Sequence, residues 1–265
     1  VLPLLESVHN PKIKGVLALL EKPKERRNSA LFAVEGAREL SMALAADYAP
    51  QALYYLPHIV SNPHQQFALP PEFLCQPVAP NVYKKMAYRE STEGVIAVMH
   101  RKERSLSALN LPPRPLVLVI EAIEKPGNIG AMLRTADAAQ VDAVLVCDPL
   151  CDLYNPNLIR ASLGALFTRQ VAACCSTEAV AWLQQQGIDI YAATLQNAVS
   201  YHSQDYRLGC AIAVGSEAHG LSSIWKEAAR ACIQIPMRGS LDSLNVSVSA
   251  AVLVFEAVRQ RTSKV

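Results

Sequence analysis

Three stretches of this 265-residue chain combine residue types suited to holding and activating a small polar ligand. The first, residues 124–136, carries Gly127, Asn128, Gly130 and Arg134. The second, residues 213–222, sets one carboxylate, Glu217, between Gly215 and Gly220. The third, residues 235–250, passes from Ile235-Pro236-Met237 through Gly239 to Ser243, Leu244 and Asn245. Glycines let a backbone approach a ligand closely. Amides and hydroxyls can fix its orientation, and Arg134 and Glu217 supply charge. None of the three is a G-x-G-x-x-G turn after a first strand or a Walker loop, so the pattern does not point to a dinucleotide or a triphosphate.

Each stretch falls where an apolar run gives way to a helical pattern. Pro236 stops the run 231–235, because it has no amide hydrogen for a sheet ladder. Ser243 or Asn245 can cap the helix that follows, expected over 246–259. Upstream, short apolar runs at 116–120, 143–147, 170–174, 189–193, 211–214 and 232–235 read as strands. Between them 129–139, 156–166, 178–186 and 222–229 read as helices. Near-continuous apolar strands alternating with helices predict an α/β fold with a mostly parallel sheet covered on both faces. A strand end, a polar loop and a helix N-terminus form the usual ligand pocket of such a sheet. The last helix has almost no polar face, from Val246 through Val248, Val252 and Phe255 to Val258. A helix apolar all round is expected to be buried on all sides, part of it by a second copy of the chain.

The first part reads as a smaller α/β domain. It has helices at 11–21, 38–46 and 81–87, strands at 31–34, 52–56 and 94–99, and a basic turn at 22–28. Residues 101–115, charged and then rich in proline, read as a linker. The expected division is 1–105 and 106–265. Residues 1–112 hold thirteen Lys and Arg against ten Asp and Glu, whereas 113–265 hold twelve against thirteen. The net charge of +2 is no global nucleic-acid signature. The basic residues of the first part nevertheless cluster at 12–27 and 101–104, where they could meet phosphates or simply form a solvated face. An apolar fraction of 51% suffices for a large core, and no run is long enough to span a membrane. The opening residues lack the basic and apolar regions of a signal peptide. Seven cysteines without a Cys-x-x-Cys pair suggest reduced thiols, no metal and a cytoplasmic protein.

Taken in order, the three stretches resemble the motifs of the SpoU/TrmH family of RNA ribose 2′-O-methyltransferases. The matching residues are Asn128, Gly130 and Arg134-Thr135-Ala136; then Gly215, Glu217 and Gly220; then Ile235-Pro236-Met237, Gly239, Ser243-Leu244-Asn245 and Ser247. Residues 155–167 also look like that family, and the resemblance covers about 113–262. Asn10-Pro11, Ile13-Lys14, Arg26-Arg27 and Phe32 to Gly36 are similar to its N-terminal substrate-binding module, which shares the fold of kink-turn-binding ribosomal proteins. The resemblance implies a C-terminal trefoil knot, a rare exception to the rule against knots. It implies S-adenosylmethionine as cofactor against Leu195, Gly215, Ile235, Pro236, Met237 and Leu244, and a homodimer through the last helix. It also implies RNA as partner, with Lys14, Arg26, Arg27 and Arg160 as contacts, and rRNA rather than tRNA as substrate.

Methyl transfer to a ribose hydroxyl is an in-line displacement that depends on positioning and gains from removal of the hydroxyl proton. The resemblance places Arg134 at that hydroxyl. There it could act as base, orient a phosphate or stabilise an oxyanion. Asn128, Ser243 and Asn245 would fix RNA, Arg134 and cofactor, and Glu217 would hold Asn128 or Arg134 or fix its loop. Each residue also has a plain structural alternative: a helix cap, a surface carboxylate, an ion pair. Gln140 and the pair Ala218-His219 depart from the family pattern. A non-catalytic RNA-binding protein and a nucleotide-dependent oxidoreductase are the rival classes.

Overall fold

The computed structural model describes residues 2–87 and 93–262. The chain runs α1 (Pro11–Glu21), α2 (Pro23–Ser29), β1 (Leu31–Glu35), α3 (Ala37–Ala45), β2 (Pro50–Tyr55), α4 (Pro63–Gln66), β3 (Cys75–Pro77), α5 (Pro80–Met86) and β4 (Val95–His100). It continues as β5 (Leu116–Glu121), α6 (Pro126–Ala138), β6 (Ala143–Cys147), α7 (Pro156–Ala161), α8 (Ala165–Thr168), β7 (Val171–Cys174) and α9 (Ser176–Gln185). It ends with β8 (Asp189–Ala193), β9 (Val199–Ser200), β10 (Cys210–Val214), α10 (Ser223–Ala228), β11 (Ala231–Gln234) and α11 (Val246–Thr262). Two compact units result. One is Val1–Glu103 with Asp152–Thr168, the other Arg104–Cys151 with Arg169–Val265.

The first unit is built on a four-stranded sheet in the order β1-β4-β2-β3. β4 is antiparallel to both its neighbours, and β2 and β3 are parallel. Asn10 caps α1 by accepting from the Lys12 amide at 2.9 Å, and the helix buries Ile13, Val16 and Leu19. The expected basic turn at 22–28 is instead α2. Proline is favoured in the first helical turn, where an amide hydrogen would have no partner. Pro23 therefore restarts the helix after the extended Lys22, with Glu25 in the first turn and Arg26 and Arg27 in the last, as the helix dipole favours.

Residues 152–168, expected in the second domain, pack in the first unit. The Tyr154 ring lies 4.5 Å from Phe32, and Phe167 lies 5.1 Å from Tyr48, centroid to centroid. The single helix expected over 156–166 is two short ones. Leu163 (φ 51) and Gly164 (φ 84) are left-handed and break it. The left-handed turn favours glycine at 164, and a Cβ there would also make the flexible Met42 side chain of α3 move aside.

The second unit holds a seven-stranded sheet, order β7-β6-β5-β10-β8-β11-β9, in which every pairing is parallel. Val117, Val119, Leu145, Ala211 and Ala213 form one core with Ala179 and Leu183 of α9 and Trp225 of α10. Leu116, Leu118 and Ile120, alternating with them on β5, are buried too. The sheet is therefore covered on both faces, as the apolar runs predict. α11 lies over β5 and β10 and against α6. Arg261 ties its end down by donating to the carbonyls of Arg114, Pro115, Tyr206 and Leu208. Val246, Ala250, Leu253, Val254 and Ala257 are buried, but Val248 and Phe255 are nearly half exposed. Within one chain, α11 is thus apolar on a side that no described residue covers.

Candidate active site

The three motif stretches are the connections β5–α6, β10–α10 and β11–α11, and hydrogen bonds join them. Asn128 stands in the first turn of α6, after Pro126. Its Nδ2 donates to Glu217 Oε1. Its Oδ1 accepts from Asn245 Nδ2 at 3.4 Å. Asn245 in turn accepts with Oδ1 from the Ser247 amide at 2.9 Å and from Ser247 Oγ at 2.6 Å, capping α11. One amide side chain offers both a donor end and an acceptor end. Asn128 uses them to bind one motif on each side. Of the two candidate caps, Asn245 is the one used, and Ser243 Oγ donates to Asp242 at 3.3 Å instead. Glu217 holds Asn128, not Arg134. Arg134 is exposed on α6, with no hydrogen bond or ion pair among the described residues.

The loop that presents Glu217 is closed at its base. Ser216 and Gly220 form an isolated antiparallel bridge, with the Gly220 amide donating to the Ser216 carbonyl at 2.8 Å. The His219 amide donates to Ser216 Oγ, so His219 serves in loop geometry. A Cβ on Gly215 would stand 2.2 Å from the Gly220 carbonyl carbon and oxygen and 2.3 Å from the Leu221 nitrogen. These are backbone atoms that cannot rotate away. Gly215→Ala is therefore expected to force the loop open and to cost about 1–3 kcal/mol of stability, measured by urea denaturation. Gly127→Ala, where an added Cβ meets nothing within 4 Å, is the control expected to be neutral or slightly stabilising. Equal stability of the two variants would show that the loop tolerates a side chain at 215.

The residues expected to line a cofactor pocket share one sheet edge. β10, β8 and β11 are adjacent and parallel. Gly215 directly follows β10, Leu195 follows β8 by two residues, and Ile235-Pro236-Met237 directly follow β11. Ile235 and Met237 are half-buried, Leu195 is 62% exposed and Leu244 is 39% exposed. An apolar, open rim thus lies at the carboxyl ends of three strands, the usual ligand edge of a parallel sheet.

Residues 115–255 match the SpoU rRNA Methylase family, and residues 10–97 match the MRM3-like substrate binding domain. The chain belongs to the SpoU rRNA methylase family. It is 29% identical to the 23S rRNA (guanosine(2553)-2′-O)-methyltransferase RlmP of Bacillus subtilis, over 95% of this chain and 97% of that protein. It is 37% identical to the 23S rRNA (guanosine-2′-O-)-methyltransferase RlmB of Xanthomonas axonopodis, over 56% of this chain and 60% of that protein. Among solved structures, an RNA 2′-O ribose methyltransferase superposes over 98% of this chain and 99% of its own, with 40% identity and a TM-score of 0.84. An AdoMet-bound rRNA methyltransferase from Sinorhizobium meliloti does so over 98% and 99%, with 25% identity and a TM-score of 0.89.

The basic residues singled out as RNA contacts in this SpoU methylase fall into two groups. Lys14 on α1 and Arg27 on α2 are exposed. Arg160 is half-buried and donates to Asn157 Oδ1 at 3.0 Å. Arg26 is a correction. It is 1% exposed, its Nε lies 2.6 Å from Asp152 Oδ2, and its Nη1 donates to the Leu19 carbonyl at 2.7 Å. A guanidinium spent on a buried carboxylate and a helix end has no face left for a phosphate. The partner lies 126 residues away, so no local pattern could have revealed it. Sequence reasoning also passed over Glu121, because it reads as the polar end of an apolar run. It is 4% exposed.

Proposed function

We propose that this protein methylates a ribose 2′-hydroxyl in ribosomal RNA, using S-adenosylmethionine and acting as a homodimer. The observation that carries the reading is the hydrogen-bonded chain Glu217–Asn128–Asn245–Ser247, which joins all three family motifs at one end of a parallel sheet. The RNA class is supported by the extent of the likeness. The rRNA enzyme of Bacillus subtilis aligns over 95% of this chain, first unit included.

When bound, S-adenosylmethionine supplies a methyl group on a positively charged sulfur. The residues present fit it. Leu195, Ile235, Met237 and Leu244 offer apolar surface for a flat ring, and Gly215 admits it to the backbone. A mostly parallel sheet whose last part is threaded as a trefoil knot would bring these segments around it. Asn128, with both ends of its amide engaged, keeps the loop of Glu217 and the start of α11 in register. Ser243, in the loop before α11, remains available to bind RNA or cofactor. Arg134 reaches from α6 to the ribose. A guanidinium is a poor proton acceptor near neutral pH. Its first task is therefore to hold the hydroxyl and a neighbouring phosphate in line with the methyl group and to stabilise the oxygen as its proton leaves to solvent, while the sulfur keeps the electron pair of the broken C–S bond.

The uncovered apolar side of α11, with Val248 and Phe255, suits a second copy of the chain. The first unit, matching the MRM3-like substrate binding domain, would seat the RNA through Lys14, Arg27 and Arg160, on a fold similar to kink-turn-binding ribosomal proteins. A cytoplasmic location is compatible with an rRNA substrate.

Titration calorimetry with S-adenosylmethionine, its demethylated product and NADH tests the reading, with light scattering for the dimer. Micromolar binding of the first two, silence with NADH and a mass of two chains are expected. Absence of binding with and without rRNA would leave a non-catalytic RNA-binding protein.

A further inference from the structure

Glu121 takes no part in the site described so far, yet it is a buried carboxylate at the end of β5, seven residues before Asn128. Its Oε2 accepts from the Ser222 amide at 2.7 Å. Its Oε1 accepts from Ser222 Oγ at 2.5 Å and from Ser176 Oγ at 2.8 Å. Ser176 Oγ also lies 2.5 Å from Asp148 Oδ2 and accepts from the indole nitrogen of the fully buried Trp225 at 3.0 Å. The carboxylate thus ties the end of β5 to the starts of α9 and α10, and Ser176 joins Asp148, just after β6, to the same cluster.

Burying a carboxylate among neutral donors is costly, and an apolar residue would close the end of a sheet more cheaply. What the carboxylate adds is a fixed position for Ser222. That residue directly follows the loop 215–221, whose other end is fixed by β10. Pinning Ser222 fixes the second end of the loop that carries Gly215 and Glu217.

We infer that Glu121 is a positioning residue for cofactor binding, holding the loop 215–221 through Ser222 so that the cofactor edge at Gly215 keeps its shape. This rests on the methyltransferase reading. The pattern of the three donors allows a sharp comparison. Glu121→Leu keeps the volume and removes the acceptor. Glu121→Gln keeps one oxygen for the Ser222 amide, and its amino group can donate to the two hydroxyls, which accept as well as donate.

In the full chain, Glu121→Leu is expected to raise KM for S-adenosylmethionine about tenfold, with kcat at saturating cofactor and KM for rRNA little changed. Glu121→Gln is expected to restore KM to within about threefold of the wild type. Hydrogen exchange at 215–222 should quicken in Glu121→Leu and not in Glu121→Gln. A folded Glu121→Leu protein with wild-type KM and wild-type exchange would reduce Glu121 to a structural residue. Should that variant fail to fold, Ser222→Ala decides. It loses one of the three bonds and is expected to raise cofactor KM about threefold, and an unchanged KM overturns the inference. A wild-type protein that binds no S-adenosylmethionine would instead overturn the methyltransferase reading, while the exchange comparison still reports on the loop.

Discussion

Arg134→Ala is expected to lower methyl transfer to rRNA by about a hundredfold to a thousandfold, the usual loss when a preorganised donor that stabilises a reacting oxygen, here as its proton leaves, is removed. The same variant should bind S-adenosylmethionine within about threefold of the wild type, because an interaction made only in the transition state leaves ground-state affinity alone. The structure gives the expectation its form. Arg134 is exposed, belongs to no hydrogen bond or ion pair among the described residues, and is not part of the network through Asn128. Its removal therefore leaves the Glu217–Asn128–Asn245 chain intact and creates no buried orphan. Arg134→Lys sharpens the test. A lysine keeps the charge but not the planar fork. Partial activity would favour a point charge near the ribose, and none would favour bidentate contact with hydroxyl and phosphate. Single-turnover kinetics at saturating cofactor separate the chemical step from binding. Full activity in Arg134→Ala would remove the residue from the mechanism.

What the sequence makes legible depends on how local each signal is. The runs 116–120, 143–147 and 211–214 are apolar on both faces, and each becomes a strand of the parallel sheet within a residue of the expected bounds. Of the helices between them, α6 and α7 start at proline and α9 at serine, which are local signals too. The meeting of Asn128, Glu217 and Asn245 is less local, yet it could be anticipated, since parallel strands place all their carboxyl ends at one edge. Long-range choices stay hidden. Nothing within 152–168 states which unit will hold it. Its partners Phe32, Tyr48 and Met42 lie more than a hundred residues upstream, and a short apolar helix reads alike in either setting. The break at Leu163 and Gly164 is a local left-handed turn, with a glycine signal that the apolar pattern of 156–166 hides. A truncation at residue 110 would consequently strip the aromatic partners from Tyr154 and Phe167 and disturb more than RNA binding.

Arg26→Met should destabilise the protein, whereas Arg27→Met, one residue along α2, should not. Arg26 and Asp152 are 1% and 5% exposed at their side chains and 2.6 Å apart. Methionine keeps most of the aliphatic volume but leaves the Asp152 carboxylate buried without its 2.6 Å guanidinium partner, with Arg101 Nη2 at 3.7 Å. Removing one partner of a buried pair costs about 3–5 kcal/mol, because the other charge remains out of water. The double variant Arg26→Met with Asp152→Leu should recover much of that loss, since neither charge is then left alone. Arg27 is exposed, and its substitution is expected to change stability by no more than about 0.5 kcal/mol. On RNA the order reverses. Arg27→Met should weaken binding and reduce the slope of log affinity against log salt by about one. Arg26→Met, assayed well below its melting temperature, should leave that slope as it is. Calorimetric unfolding gives the first comparison and salt-dependent filter binding the second. A slope lowered by Arg26→Met with stability intact would return Arg26 to the RNA surface and contradict the buried pair.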